Sequence, residues 1–572
     1  MHVACQCLYL AKRLTGKNIE LSQCNNINHN NNKLCVSLCL RALVAKATTI
    51  TTATIETVQQ TNNKIISYYQ SNPFTVILLV GIFFRLLATV FSMGYGWHDD
   101  QFLIIEIAQS WVDGIDYYSW LPSADGTRVP EGFSFFYVGL HYLLFSLFEK
   151  IGLVDPQAKM LIVRFIHALW SMLIVYFGYK ITLRLSNITN AKTVGWLLSI
   201  FWIFPMISVR NLVEYVNIPL LLYGLWVVIK NEKNTNYLPW LWAGILFGFA
   251  FNIRFQTMLI TGGIGLITLI NGRWKSTFFL GLGVLIPIII FQGGIDYFTW
   301  GKPFVQLIEY VNYNMHNAAR YIVSPWYTYL LFLLGILIPP VSVFILAGFF
   351  QQWRKLLIIF FPVLLFLIFH SYYPNKQERF IVTIIPMLMI IGVIGWQQIQ
   401  DKYFKSVSAR NFIKYSWIFF WVINFIALVP ISVMYSKQAR VESMSYMAQY
   451  GDINNFLIED VNQTVLRFPP QFYLGDWYNY QTLMENDDFD EFKRLNSNKP
   501  VSKQPGFVMF YQPNDIDNRV SKMKTVYPNL EFETIIEPGF MDKVLHWLNP
   551  INDNQRIYLY RNKQVLPDRL SN

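Results

Sequence analysis

Between residues 74 and 434 the chain is a succession of apolar runs separated by short polar, Gly- or Pro-containing breaks. The runs fall at 74–93, 133–153, 161–183, 193–207, 218–229, 238–253, 258–270, 278–291, 327–349, 356–369, 380–394 and 417–434. A helix crosses a hydrocarbon core of about 30 Å with about 17 to 25 apolar residues, and the runs recur at that scale, although several are shortened by Gly and Pro. The pattern predicts about eleven to thirteen transmembrane helices. Barrel strands are excluded because the runs do not alternate apolar and polar positions. Between residues 161 and 229, Pro205 and Pro219 are expected to break helices at membrane depth.

After Tyr435 the hydropathy collapses. Residues 471–480, 506–511 and 556–560 are aromatic-rich or alternating and lie between Pro, Asn and Asp turns, which predicts strands of a small soluble α/β domain. The expected fold class is therefore an all-α polytopic membrane protein with a soluble α/β C-terminal domain. Its expected organisation is a poorly ordered extension over 1–72, a transmembrane domain over 73–435 with a first loop at 94–132, and the soluble domain over 436–572. No repeat of fixed period is present.

Composition agrees with a lipid environment. Of 572 residues, 53% are apolar and 14% charged, far from the make-up of a soluble domain. The net charge of +11 raises the question of nucleic acid, but no polar segment carries a basic stripe with interleaved aromatics, so no nucleic-acid partner is expected. Basic segments at 230–233, 273–275, 354–355 and 402–410 read as orientation signals and contacts with membrane lipid. All five cysteines, at 5, 7, 24, 35 and 39, lie in an Asn-rich extension. Their spacing fits no metal template, and no apolar stretch suited to a cleavable signal peptide follows Lys12 and Arg13.

Chemistry concentrates after the first span. The loop opens Gly94-Tyr-Gly-Trp-His98-Asp99-Asp100-Gln101-Phe102 and continues through Glu106 to Asp113. Residues 101–112 suit an interfacial helix, with Phe102, Ile105, Trp111 and Val112 available to the acyl boundary. Asp99, Glu106 and Asp113, seven apart, are expected on one face of it. Adjacent carboxylates beside His98 suit three roles: a helix cap, a general base or metal ligands. Cations recur at membrane depth, where an unpaired charge costs at least a few kcal/mol. They are Arg85, Arg254 and the cluster Lys376, Glu378 and Arg379. Each alone is explained by snorkelling or internal pairing. Together with the carboxylates they suit a substrate that is anionic and lipidic and carries a hydroxyl to be activated, because a guanidinium grips phosphate by two parallel hydrogen bonds. No Walker loop, dinucleotide fingerprint or HExxH helix is present.

These residues resemble a known group. Arg85-Leu-Leu-Ala, then Asp99-Asp100-Gln-Phe102 and Glu106, resembles the first span and Asp-Glu-x-Phe loop of the family 22 glycosyltransferases, which include the mannosyltransferases that build N-glycan precursors and GPI anchors. Asp100 stands where the family usually has Glu. Asp296-Tyr-Phe-Thr-Trp-Gly301-Lys-Pro303, Tyr313-Asn314 and Pro325-Trp326-Tyr327 with Tyr329 are similar to three later family blocks. Asn375-Lys376-Gln-Glu378-Arg379-Phe380 is similar to the His-Lys-Glu-x-Arg-Phe motif, with Asn in place of His. The stretch from Arg210-Asn211 to Asn217 echoes the family's Arg-Thr-x-Ser-Asn segment. Order and spacing agree from about residue 75 to 395.

The resemblance implies the C-type membrane glycosyltransferase fold and an inverting transfer of a hexose, mannose by family, from a polyprenyl or dolichyl phosphate donor to a glycan or glycolipid acceptor. It implies a catalytic set of Asp99, Asp100 and Glu106, with Asp99 as the base, and a donor phosphate held by Arg254, Lys376 and Arg379. Substrate binding is implied for His98, Arg210, Asp296, Tyr313, Asn314 and Glu378. The lipid-phosphate sugar is a substrate, so no cofactor and no obligatory metal is expected, with a divalent cation left open. The active site is expected on the extracytoplasmic face of the plasma membrane in a bacterium, or of the endoplasmic reticulum in a eukaryote. The rival from another class is a transporter or flippase of lipid-linked saccharides. It is disfavoured because its inverted repeats are not seen. Two related enzymes, a protein mannosyltransferase and an aminoarabinose transferase, differ in their later motifs.

Overall fold

The computed structural model describes residues 67–320, 323–461, 467–550 and 556–567. The cysteines, and most of the 1–72 extension, lie outside the described residues. The chain divides into a unit Met1–Val76, whose described residues are helical apart from Asn72, and a unit Ile77–Asn572, which holds nearly all of the described residues.

Each apolar run forms one helix or two helical pieces. Among the described residues, six helices are long and apolar enough to cross a membrane, at Pro73–Phe91, Pro156–Leu185, Val213–Lys230, Trp274–Trp300, Glu378–Tyr403 and Val407–Ser432, and four shorter apolar helices accompany them. The protein is an integral membrane protein. Pro156–Leu185 is well defined at its start: Pro156 occupies the first turn, and the Asp155 carboxylate accepts the Ala158 amide at 2.7 Å. Its 30 residues span about 45 Å.

The breaks fall where proline dictates. The run 193–207 divides into Ile188–Ile200 and Phe204–Ser208, with Pro205 in the first turn of the second piece, and Pro219 likewise sits in the first turn of Ile218–Lys230. The run 327–349 divides into Thr328–Ile336 and Val341–Gln351 around Pro339 and Pro340. Arg85, inside the first span, is held by the end of the first of these broken helices. It donates to the carbonyls of Leu198 and Ser199 at 3.1 and 2.7 Å and to Ser171 Oγ at 2.8 Å. Free carbonyls at a helix C-terminus carry partial negative charge, so they match a buried guanidinium.

The helices approach closely through small residues. A Cβ on Gly348 would lie 1.9 Å from the Gly392 carbonyl oxygen, and one on Gly244 would lie 2.1 Å from that of Leu280. Backbone contact of this kind replaces the hydrophobic drive that lipid removes.

The C-terminal part carries five strands among the described residues: β1 (Phe456–Asp460), β2 (Gln481–Met484), β3 (Phe507–Tyr511), β4 (Leu530–Ile536) and β5 (Ile557–Asn562). Their order is β2-β1-β3-β5-β4, with β1, β2 and β3 parallel and β5 antiparallel to both its neighbours. The strands expected at 506–511 and 556–560 are β3 and β5. The one expected at 471–480 is instead a 3₁₀ turn, Gln471–Tyr473, and a loop, because the buried Gln471 amide bonds both the amide and the carbonyl of Tyr478 and curls the chain. This domain is not a separate globule. Phe456, Phe472 and Phe507 share one core with Tyr95, Phe102 and Ile104–Ala108 of the first loop.

Candidate active site

The first loop begins with a turn that only glycine permits. Gly94 has φ +73°, and a Cβ there would lie 2.0 Å from the Ser436 carbonyl oxygen, where the two segments form a parallel bridge. Helix starts at His98. The Asp100 carboxylate reaches back to accept the amides of Gly96 and Trp97, each at 2.9 Å, so the cap role belongs to Asp100.

Residues Gln101–Ile105 form a wide π-type turn in which the Glu106 amide bonds the Gln101 carbonyl. This turn rotates everything after it, and the expected stripe of Asp99, Glu106 and Asp113 does not form. Asp99 faces Arg379, Glu106 is enclosed, and Asp113 is exposed beside Trp477. Phe102 and Ile105, expected at the acyl boundary, pack into the core shared with the soluble domain.

Behind the helix start lies a buried polar cluster. Lys437 Nζ donates to the Gly96 carbonyl at 2.7 Å and lies 4.3 Å from the centre of the Tyr95 ring. Burial pulls this ammonium down to about 7, with Asp100 acting against the shift and Arg440 and Arg210 adding to it. Burial likewise pushes the Asp100 carboxyl up, opposed by Lys437, the Gly96 and Trp97 amides and Arg210. Arg210, expected to bind substrate, donates to the carbonyls of Ser92, Met93, Gly94 and Met434 and to the hydroxyls of Ser92 and Ser436. Its Nη donors are engaged in tying the first loop to the chain after the last span, while its buried Nε has no hydrogen-bond partner among the described residues.

On the other side of the helix start stands Asp99. Its side chain is 38% exposed, and its Oδ2 lies 2.6 Å from Nη2 of the buried Arg379. Arg379 Nη1 lies 4.0 Å from Glu214 Oε1, and the same oxygen lies 3.8 Å from Arg254 Nη2. Thr383 Oγ1 accepts from Arg254 Nη1 and donates to the Glu214 carbonyl, both at 2.8 Å. Both guanidiniums pack near the Phe380 ring. Lys376, three residues before Arg379, is buried and donates to the Tyr373 carbonyl at 2.6 Å. Two polar atoms here have no hydrogen-bond partner among the described residues, Glu214 Oε2 and Asn375 Oδ1. Such atoms in a native site call for water or a ligand.

The remaining expected residues divide. His98 is exposed and stacks on Phe102 at 4.7 Å, and burial on its other side lowers its pKa against the pull of Asp99. Glu378 is exposed at the mouth of the Arg379 turn. Asn314 and Tyr313 sit on the helix Val305–His316, where the Asn314 carbonyl accepts the Tyr373 hydroxyl at 2.8 Å. Asp296 is wholly buried and accepts the Gln306 amide and Gln292 Nε2, each at 3.0 Å. Both bonds end on Oδ2, and Oδ1 of this residue, expected in substrate contact, has no hydrogen-bond partner among the described residues.

Glu106, expected in the catalytic set, is wholly enclosed. It accepts from Tyr118 Oη at 2.5 Å, Gln101 Nε2 at 3.2 Å and the Phe472 amide at 3.3 Å, and burial pushes its carboxyl up to about 7. Both oxygens of Asp100, expected in the same set, accept amides at the helix start. The residue missed from sequence is Glu214, which joins the two arginines. Its signal was available: a single carboxylate in the apolar stretch 204–229 needs a partner.

The sequence matches the profile of the Alg9-like mannosyltransferase family over residues 128–475, a stretch that includes Glu214, Arg254, Lys376 and Arg379. The chain is 28% identical over 152 residues to the alpha-1,2-mannosyltransferase ALG9 of Homo sapiens, covering 23% of this chain and 24% of that protein. It is 23% identical over 215 residues to GPI mannosyltransferase 3 of Kluyveromyces lactis, covering 34% of this chain and 36% of the relative. The chain thus spans only about a quarter to a third of the length of these curated relatives. In structure it is similar to ArnT from Cupriavidus metallidurans bound to undecaprenyl phosphate, with a TM-score of 0.55 at 14% identity, covering 87% of this chain and 99% of that one. That likeness establishes the C-type membrane glycosyltransferase fold. With the profile matched over more than half its length, the chain belongs to the Alg9-like mannosyltransferase family.

Proposed function

We propose that the protein transfers a hexose, mannose by family, from a polyprenyl or dolichyl phosphate to a hydroxyl of a glycan or glycolipid acceptor, with inversion at the anomeric carbon. In this reading the active site faces the extracytoplasmic side, of the plasma membrane in a bacterium or of the endoplasmic reticulum in a eukaryote. The observation that carries the reading is the half-exposed Asp99 carboxylate on the buried Arg379, whose charge is shared through Glu214 with Arg254.

The charges balance the reaction. Arg254, Arg379 and Lys376 against Asp99 and Glu214 leave a net charge of one positive, which matches the single negative charge of a phosphodiester donor. The acceptor oxygen attacks the anomeric carbon, the bond from that carbon to the phosphate oxygen breaks, and its electron pair stays on the phosphate. The acceptor proton passes to Asp99. The leaving phosphate then carries one more negative charge, while the site, with Asp99 neutralised, carries one more positive charge. Fixed donors aimed at developing charge commonly supply more of the rate enhancement than any other single effect. No cofactor enters this balance and no metal is required by it.

Purified protein in nanodiscs, given radiolabelled polyprenyl-phosphate-mannose and a panel of lipid-linked and free oligosaccharide acceptors, tests the reading. Transfer is expected, and Asp99→Asn is expected to reduce it by about 10²–10⁴ at unchanged stability. Donor binding without transfer to any acceptor would overturn the proposal.

A further inference from the structure

The helix that carries Asp99 has a second polar site at its far end. Gln109, Asp113, Glu149, Lys159 and Trp477 line an open cleft of about 230 Å³ between that helix, the start of Pro156–Leu185 and the loop after Gln471–Tyr473. Their side chains form a continuous chain of hydrogen bonds. Trp477 Nε1 donates to Asp113 Oδ2 at 2.7 Å, and Gln109 Nε2 donates to Asp113 Oδ1 at 2.8 Å. Lys159 Nζ, itself 97% buried, donates to Gln109 Oε1 at 3.0 Å and lies 2.5 Å from Glu149 Oε1.

The lining selects a ligand class. One ammonium against two carboxylates leaves a net negative charge, which repels phosphate. Among the described residues no group of three His, Cys, Asp or Glu side chains is arranged to hold a metal ion. Apolar contact comes from Val154, Pro156, Phe472 and the Trp477 ring, too little for a lipid chain. What remains is a small, neutral, hydroxyl-rich ligand. Carboxylates have about four acceptor positions each, an amide both donates and accepts, and an indole offers an apolar edge to C–H groups. A concave site with convergent polar groups is the usual form of a small-molecule site, and this volume suits one sugar ring rather than an extended ligand.

We infer that this cleft is a saccharide subsite, which holds a remote neutral hexose of the acceptor glycan while its reacting hydroxyl lies at Asp99. The inference rests on the transfer reaction proposed above. A helix rise of about 1.5 Å per residue, shortened across the π-type turn, places Gln109 within about 15 Å of Asp99 along the axis, the reach of a few linked sugars. The enzyme therefore measures acceptor length along one rigid helix.

The test uses the full-length protein in nanodiscs carrying Asp99→Asn, so that binding is read without turnover. Free α-linked mannose oligosaccharides of graded length are titrated by saturation-transfer NMR and calorimetry. Longer oligosaccharides are expected to bind, and Trp477→Ala and Asp113→Asn are each expected to weaken them about tenfold or more, with Trp477→Phe intermediate as a check on folding. With Asp99 restored, the same substitutions should raise the acceptor KM for long acceptors far more than for short ones. Absence of saccharide binding, or binding that neither substitution changes, overturns the subsite. Binding lost in these variants while the wild type transfers no mannose to any acceptor would uphold the subsite and overturn the transfer reading instead.

Discussion

Asp99 and Asp100 are neighbours in sequence and open two charge clusters of opposite character. Asp99 leads to Arg379, Glu214 and Arg254, and Asp100 leads to Lys437 and Arg210. In the second cluster the donors meet backbone: Arg210 bonds four carbonyls and two hydroxyls, and Lys437 bonds the Gly96 carbonyl. In the first, Arg379 meets only side chains, Gln377 at 2.8 Å and the carboxylates of Asp99 and Glu214. Backbone carbonyls cannot leave, whereas a half-exposed carboxylate yields its guanidinium to a phosphate. The nature of the acceptor atoms, more than burial, thus separates Arg210 from Arg379, while Arg254 and Lys376 each keep one bond to a backbone carbonyl, of Phe380 and Tyr373. Arg210 and Arg379 are both buried, at 2% and 5% exposure.

Substitution at the first cluster gives the largest expected effect. Arg379→Gln removes the phosphate donor next to the base and is expected to lower kcat/KM for the lipid-phosphate sugar by about 10²–10³, with thermal stability little changed. Steady-state kinetics with a melting curve checks this. A large loss of stability would place Arg379 with Arg210 and erase the distinction.

The matching change in the second cluster acts on stability. Arg210→Gln leaves several buried carbonyls without donors and is expected to cost about 2–4 kcal/mol, read as a lowered melting temperature in detergent. Activity of the folded fraction should stay within a fewfold of wild type. If the variant melts normally but no longer binds donor, Arg210 returns to the substrate site.

The smallest effect sharpens the boundary between the clusters. The folded-state pKa of Glu106 is raised to about 7 from an ordinary 4.5, so the folded protein binds the proton more tightly than the unfolded chain. Its contribution to stability is full below about pH 4.5 and is lost as pH rises through about 7. The groups facing it are Tyr118, Gln101 and the Phe472 amide, with Tyr117 nearby. Glu106→Gln should therefore flatten the decline of melting temperature over that window while leaving transfer largely intact. An unchanged pH dependence would remove the titration from Glu106.

Much of this was legible in the sequence. Each of the six described helices long and apolar enough to cross a membrane overlaps an apolar run, because lipid imposes length and composition directly, and Pro205 and Pro219 marked breaks between helices. Asp99 and Arg379 were legible as members of ordered motifs, but their contact across 280 residues was not. The stripe of Asp99, Glu106 and Asp113 failed because the π-type turn at Gln101–Ile105 leaves no mark in a 3.6-residue period. Asp100 and Glu106 resemble Asp99 in sequence and differ only in partners supplied from elsewhere: Lys437 after the last span, and Tyr118 and the Phe472 amide. The loop 471–480 misled because its aromatic residues alternate like a strand, while the buried Gln471 amide curls the backbone.

The division of labour between the adjacent carboxylates is the central claim, and one paired measurement tests it. Single-turnover transfer rate and melting temperature are recorded for Asp99→Asn and Asp100→Asn in the same nanodiscs. Asp99→Asn is expected to lose about two orders of magnitude or more in rate with its melting temperature unchanged, and Asp100→Asn to lose melting temperature while its folded fraction still transfers. Rate loss in Asp100→Asn at full stability, with Asp99→Asn still active, would contradict the account and move the base to Asp100.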